Sequence, residues 1–260
     1  MSIYRIWGVI LRHLYLFKTN ITRITDVFYW PAIDILLWGV TFSFLESAGS
    51  IPNLTQTILS GLVLWTIIYR GQNEISVGLM EEVWNRNLIN LYVSPLKFGE
   101  WITAVIIMSS IKNSVTFIFS LLLCVFIYGV QILELGVIII PYIALLLIIS
   151  WSFGLLVSGL IYLWGSRVEI FAWSIVAIFS PLSAVYYPVS ALPQTIQIVS
   201  KLLPTTYIFE GMRYTISTGT YDWNGLTIAA VLTLVLFTIA VVFVNFCFSR
   251  VLNNGLVKFK

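Results

Sequence analysis

Charge is what this chain has least of: 14 Lys and Arg and 11 Asp and Glu make up 10% of its 260 residues, against 59% hydrophobic ones. A soluble domain carries roughly 25% charged residues, so the composition alone excludes that class and places the chain in a membrane. The polar stretches between apolar runs are too short to build a separate core, and one membrane domain over 1–260 is expected. His13 is the single histidine, which removes histidine-based metal or nucleophilic chemistry. Cys124 and Cys247 both fall inside apolar runs, where buried thiols are ordinary and no disulfide framework or metal site follows. Gly-Lys never occurs, so there is no phosphate-binding loop and no reason to expect this chain to hydrolyse ATP. The net charge of +3 is scattered, which speaks against nucleic acid.

What is present is a series of apolar runs. A helix crossing a ~30 Å hydrocarbon core needs ~20 mostly apolar residues, and six segments qualify: about 27–46, 55–79, 101–128, 136–164, 168–187 and 224–248. The fifth ends between Pro181 and Pro188. Positive residues are retained on the cytoplasmic side. With the N-terminus inside, the inner segments hold Arg5, Arg12, Lys18, Arg23, Arg86, Lys97, Arg167, Arg250, Lys258 and Lys260, and the outer ones only Lys201 and Arg213. Both termini are therefore expected in the cytoplasm. Arg5, Arg12 and Lys18 interrupt any signal-peptide core, so residue 1 reads as part of the mature protein.

Residues 2–22 place Ile3, Ile6, Trp7, Ile10, Leu11, Leu14 and Phe17 at helical spacing, with Arg5, Arg12, His13 and Lys18 largely on other faces. This is an amphipathic helix, lying in the interface or packed on the bundle. The inner link from Glu81 to Glu100 holds a short helical stretch, Trp84 to Val93, ended by Ser94-Pro95. Trp84, Leu88 and Leu91 on one side would suit docking into a partner's groove, and a solvated loop is the alternative. Between Ala184 and Trp223 lie Pro188, Pro193 and Pro204 among apolar residues, too interrupted to span and too hydrophobic for a free loop. Short re-entrant or interfacial half-helices on the outer side meet both conditions.

Two of these segments carry a resemblance. Asn87-Leu88-Ile89-Asn90-Leu91-Tyr92-Val93-Ser94-Pro95-Leu96, and the outer pair Tyr187-Pro188-Val189-Ser190-Ala191-Leu192-Pro193 and Leu203-Pro204-Thr205-Thr206-Tyr207 to Glu210 and Arg213, are similar to motifs of ABC-2 type exporter permeases, and the likeness runs nearly the full length. Leu203 and Thr205 depart from the usual Asn and Leu.

The resemblance implies an all-α membrane protein of six spans, with an interfacial N-terminal helix, a cytoplasmic coupling helix and outer re-entrant half-helices. It implies pairing with a second permease, most simply itself, and docking on two separate cytoplasmic ATPase subunits that hold the ATP and magnesium. Trp84, Arg86, Leu88, Leu91, Val93, Ser94, Pro95 and Leu96 would form the ATPase contact. Pro181, Pro188, Pro193, Pro204, Glu210 and Arg213 would shape the outer segment. The implied cargo is amphipathic, lipid-like or drug-like, exported across the plasma (inner) membrane. Glycolipid or polysaccharide export is a second reading. An ion-coupled secondary transporter or channel is a third, which usually shows internal repeats not seen here, and a scaffold is a fourth.

Ionisable residues at membrane depth cost ~2.5–3.5 kcal/mol on insertion scales and call for a partner or a function. Asp34, Arg70, Glu74 and Lys112 stand inside spans. Arg70 and Glu74 are four apart on one face, which leaves Asp34 with Lys112. These pairs line or gate a path, or tether spans one, two and three to one another. Equal numbers of each sign favour tethers. Among the aromatic residues, Trp30, Trp101, Tyr128, Trp164, Tyr186, Tyr187 and Trp223 sit near span ends as interface belts do, while Trp38, Trp65 and Trp151 are more interior.

Overall fold

In hydrocarbon every backbone N–H and C=O must be satisfied within the chain, which a helix does for itself. The computed structural model describes residues 1–49 and 53–254, and helices account for nearly all of them, with no strand among the described residues. They are α1 (Ile3–Thr19), α2 (Ile21–Ala48), α3 (Leu54–Trp84), α4 (Leu88–Val93), α5 (Phe98–Tyr128), α6 (Ile139–Trp164), α7 (Glu169–Phe179), α8 (Gln194–Ser200), α9 (Pro204–Thr218) and α10 (Trp223–Asn254). Lys258 and Lys260, counted above for orientation, lie outside the described residues.

Among the described residues four stretches are long and apolar enough to cross a membrane: Arg23–Ala48, Phe98–Tyr128, Ile132–Leu182 and Trp223–Asn253. The third, of 51 residues, contains both α6 and α7, divided at Gly165, whose φ of 61° suits a residue without Cβ. α7 has 11 residues, about 17 Å of helix, and gives way to a 3-10 turn, Ser180–Leu182, that includes Pro181. It is therefore shorter than the span drawn over 168–187.

α3 has 31 residues, about 46 Å, and stands in the middle of the protein. Leu59, Val63, Leu64, Ile67, Ile68 and Ile75 are all at most 1% exposed, packed among α2, α5, α6 and α7. A helix surrounded by protein can carry Arg70 and Glu74 where a lipid-facing one could not. Small residues let the helices approach closely. A Cβ on Gly71 would lie 2.1 Å from Ser150 Oγ on α6, and one on Gly154 would lie 2.7 Å from Ile75 Cβ. The outer surface is apolar where lipid belongs, as at Phe126, Ile118, Val231 and Phe246.

α1 is apolar on two sides. Ile6, Val9, Ile10 and Leu14 pack on Ala104 and Met108 of α5, whereas Tyr4, Trp7, Tyr15 and Leu16 are exposed. The helix thus packs on the bundle and still presents an apolar strip, a combination the two sequence readings had kept apart.

Candidate functional site

The α3–α5 connection is held by charges from the N-terminal helices. Glu100, fully buried, receives the Ser2 N–H at 2.6 Å, an Arg5 guanidinium N–H at 2.9 Å and the Lys97 N–H at 3.0 Å. The second Arg5 Nη donates to the Pro95 carbonyl at 2.6 Å. Arg12 lies 2.7 Å from Glu82, which also accepts from Asn87 Nδ2 at 2.6 Å, and Arg23 pairs with Glu81 at 2.5 Å. Three arginines thus fasten both ends of the α4 segment. The sequence shows these arginines as orientation signals, and Arg5 and Arg12 also as the polar side of an amphipathic helix, without giving them partners. The signal for those partners lay in the acidic residues Glu81, Glu82 and Glu100 that bracket the same link.

Within that link the helix drawn from Trp84 to Val93 is two pieces. α3 runs on to Trp84, Arg86 takes φ 53°, and α4 restarts at Leu88. Leu88 is 6% exposed and packs into the protein with Leu96, Leu79, Trp101 and Phe98. It therefore does not share an outward face with Trp84, because the turn at Arg86 rotates α4 against the core. Trp84, Arg86, Val93 and Pro95 are exposed and Ser94 is half-buried, while the Leu91 side chain lies outside what the structure describes. Trp101, read as an interface residue, is buried in the same cluster.

The membrane-depth charges pair differently from the sequence expectation. Arg70 reaches across to α2, donating to the Asp26 carboxylate at 2.8 Å and to the Asp26 carbonyl. Lys112 pairs with Glu74 and stands over the Phe17 ring. The Arg70–Glu74 and Asp34–Lys112 pairs are thus corrected: α2 and α5 flank α3, so each charge on α3 meets a partner on its own side. Asp34 has no ion pair or hydrogen bond among the described residues.

These residues border two cavities. One, of about 330 Å³, is polar, lined among others by His13, Arg23, Asp26, Arg70, Glu74, Glu81 and Lys112. Burial pushes the His13 imidazole below its ordinary value, only partly opposed by nearby Glu74. The other, of about 420 Å³, is aromatic: Trp30, Trp38, Trp65, Tyr69, Tyr186 and Tyr187 surround Asp34, and Arg70 and Pro181 complete the wall. Arg70 borders both. Trp30, Tyr186 and Tyr187, expected as interface residues, therefore face a cavity.

The proline-punctuated segment after α7 closes the aromatic cavity. Ala184 turns the chain at φ 56°, and the Val185 carbonyl would lie 2.8 Å from a Cβ on Gly61 of α3. Glu210 accepts the Val189 N–H at 2.6 Å and pairs with Arg213 at 3.2 Å, while Arg213 donates to the Val185 carbonyl at 3.4 Å. The Tyr187 hydroxyl donates to the Pro181 carbonyl at 2.7 Å. Pro188 and Pro193 precede the turn Val189–Ala191 and α8, and Pro204 opens α9. Burial holds the Arg213 guanidinium below its ordinary value, against the pull of Glu210. Glu210 and Arg213 thus bind the segment to itself.

No curated protein matches the chain at a significant level. The sequence profile of the family described as ABC-2 type transporter matches residues 14–217, a stretch that includes the α4 link, the lining of both cavities apart from His13, and the proline-punctuated segment up to Arg213. By that match and by its apolar helices, the chain belongs to the ABC-2 type transporter family and is a multi-pass membrane permease.

Proposed function

We propose that this permease forms half of an ATP-driven exporter for an amphipathic, lipid-like or drug-like molecule. The observation that carries the reading is the succession of two cavities along α2 and α3, polar then aromatic, with Arg70 in the wall between them. An amphipathic molecule finds a polar end and an apolar end in that order. A second copy of the chain completes the path, and a separate cytoplasmic ATPase with ATP and magnesium drives it. α3 counts as a crossing beside the four most apolar stretches, and the third stretch counts as two, α6 and α7, giving six, with both termini and α4 on the cytoplasmic side of the plasma (inner) membrane and α8 and α9 re-entrant from outside.

The ATPase contact is the exposed part of the link: Trp84, Arg86, Val93 and Pro95. The Arg5, Arg12 and Arg23 pairs supply a rigid connection, so displacement of α4 moves α1, α3 and α5 together. The test is purification of the tagged chain in mild detergent from cells that also make its ATPase, with Val93→Asp as the comparison. Retention of the ATPase by the native chain and its loss with Val93→Asp, at unchanged thermal stability, is the expected result. A chain that purifies alone in both cases and moves ions or solutes in liposomes without ATP would refute the proposal.

A further inference from the structure

We infer that the aromatic cavity binds a hydrophobic organic cation, with Asp34 as its counter-ion. Asp34 stands near the middle of α2, two helical turns beyond Asp26, at about 12 Å along the axis. A carboxylate at that depth is costly without a partner, and the nearest cation is already taken. Both terminal nitrogens of Arg70 donate to Asp26, one to its carboxylate and one to its carbonyl. Asp34 therefore faces the cavity with no hydrogen bond or ion pair among the described residues, while Arg70 in the same wall is held by Asp26.

Its walls favour the same ligand. The faces of tryptophan and tyrosine rings are the negative side of the ring quadrupole and attract cations. Trp38 is held by stacking on Phe42 and Tyr186, with centroids 5.7 Å and 6.0 Å away. Trp65 leans on Phe209 at 6.0 Å. The rings are thus positioned before any ligand enters. A cavity of about 420 Å³ falls within the roughly 300–1,000 Å³ of small-molecule sites, enough for one bulky apolar cation and too little for a sugar chain held along its length. An anion would meet Asp34 and the ring faces together, and Arg70 in the wall already donates to Asp26. A neutral lipid would have no use for the carboxylate.

This inference names the substrate class of the proposed path and rests on that proposal for movement, although binding itself needs no ATPase. The experiment is tryptophan-fluorescence titration of the purified chain in detergent with tetraphenylphosphonium and with tetraphenylborate, probes of matched shape and opposite charge. The native chain is expected to show saturable quenching by the phosphonium. Asp34→Asn should weaken it by about tenfold or more, and Asp34→Glu should restore it. Equal affinity for the two probes, or phosphonium binding unchanged in Asp34→Asn, overturns the inference. Should Asp34→Asn fail to fold, carbodiimide labelling of Asp34 in the native chain decides. Protection by phosphonium and not by borate supports the site, and equal labelling with both refutes it. Charge-blind binding would leave the ATPase retention test untouched, and loss of ATPase retention would leave the binding test untouched, so the two failures are distinguishable.

Discussion

Arg12→Met puts the clamp on the α4 link to a quantitative test. Glu82 has a side chain 4% exposed and depends on Arg12, at 2.7 Å, and on Asn87, at 2.6 Å. Removing the guanidinium leaves a buried carboxylate with one neutral donor. Breaking a fully buried pair costs about 3–5 kcal/mol. The Arg12 side chain is 41% exposed, so water replaces part of the lost interaction and about 1–3 kcal/mol is the better expectation. At roughly 2–4 °C per kcal/mol for a chain of this size, the melting temperature in detergent should fall by about 2–12 °C. Trypsin should also cut at the exposed Arg86 sooner, because the α3 end of its segment is less firmly held. Glu82→Gln in the same chain removes the stranded charge and should recover most of the loss. A shift below about 1 °C for Arg12→Met, or a double variant as unstable as the two single losses added, would refute the clamp.

Leu88→Ala should lower the melting temperature through a core loss of about 2–5 kcal/mol, whereas Val93→Asp, at a position 82% exposed, should leave it unchanged; parallel thermal melts separate packing from docking. Gly71→Ala should destabilise by about 1–3 kcal/mol, because its Cβ would meet Ser150. Gly78→Ala on the same helix, with open space around it, should be neutral or stabilising by up to about 1 kcal/mol; the same melts give both signs. His13 has a folded-state pKa below its ordinary 6.5, so the unfolded chain binds the extra proton first. Its contribution to stability is thus present above 6.5 and is lost as pH falls through that value toward the folded-state pKa; melting temperatures across this window should fall less steeply in His13→Asn than in the native chain. Glu210→Ala releases the Val189 N–H and the Arg213 guanidinium together, and hydrogen exchange at residues 185–190 should accelerate by about tenfold or more.

The long apolar runs were legible because composition over ~20 residues dominates membrane partitioning, and α2, α5, α6 and α10 lie close to where the hydropathy placed them. α7 was overdrawn, since apolar character continues past Phe179 although the helix does not; Pro181 and the turn at Ala184 end it. The direction of Leu88 was not legible. Helical periodicity assigns faces only if the helix is continuous, and the left-handed turn at Arg86 resets the phase between Trp84 and Leu88. Trp101, by the same limit of one-dimensional reading, sat at a span end yet belongs to the core.

The charges carry the deeper lesson, because a sequence reveals their number and sign but not which helices stand side by side. Arg70 and Glu74 share a face of α3 and could have paired with each other. An intrahelical pair would have left Asp26 and Lys112 unmatched in the adjoining helices. The arrangement found instead neutralises all four and joins α2, α3 and α5. Adding Arg23 and Glu81 gives three cations and three anions around the polar cavity, each with a partner. Asp34 is the next charge along α2, and it stands in the aromatic wall without a hydrogen bond or ion pair among the described residues, beside an Arg70 already bound to Asp26. Tethers need balanced charges. A carboxylate outside that balance, at a depth where charge is costly, shares its wall only with an Arg70 whose hydrogen bonds go to Asp26, which is why the counter-charge is assigned to the cargo.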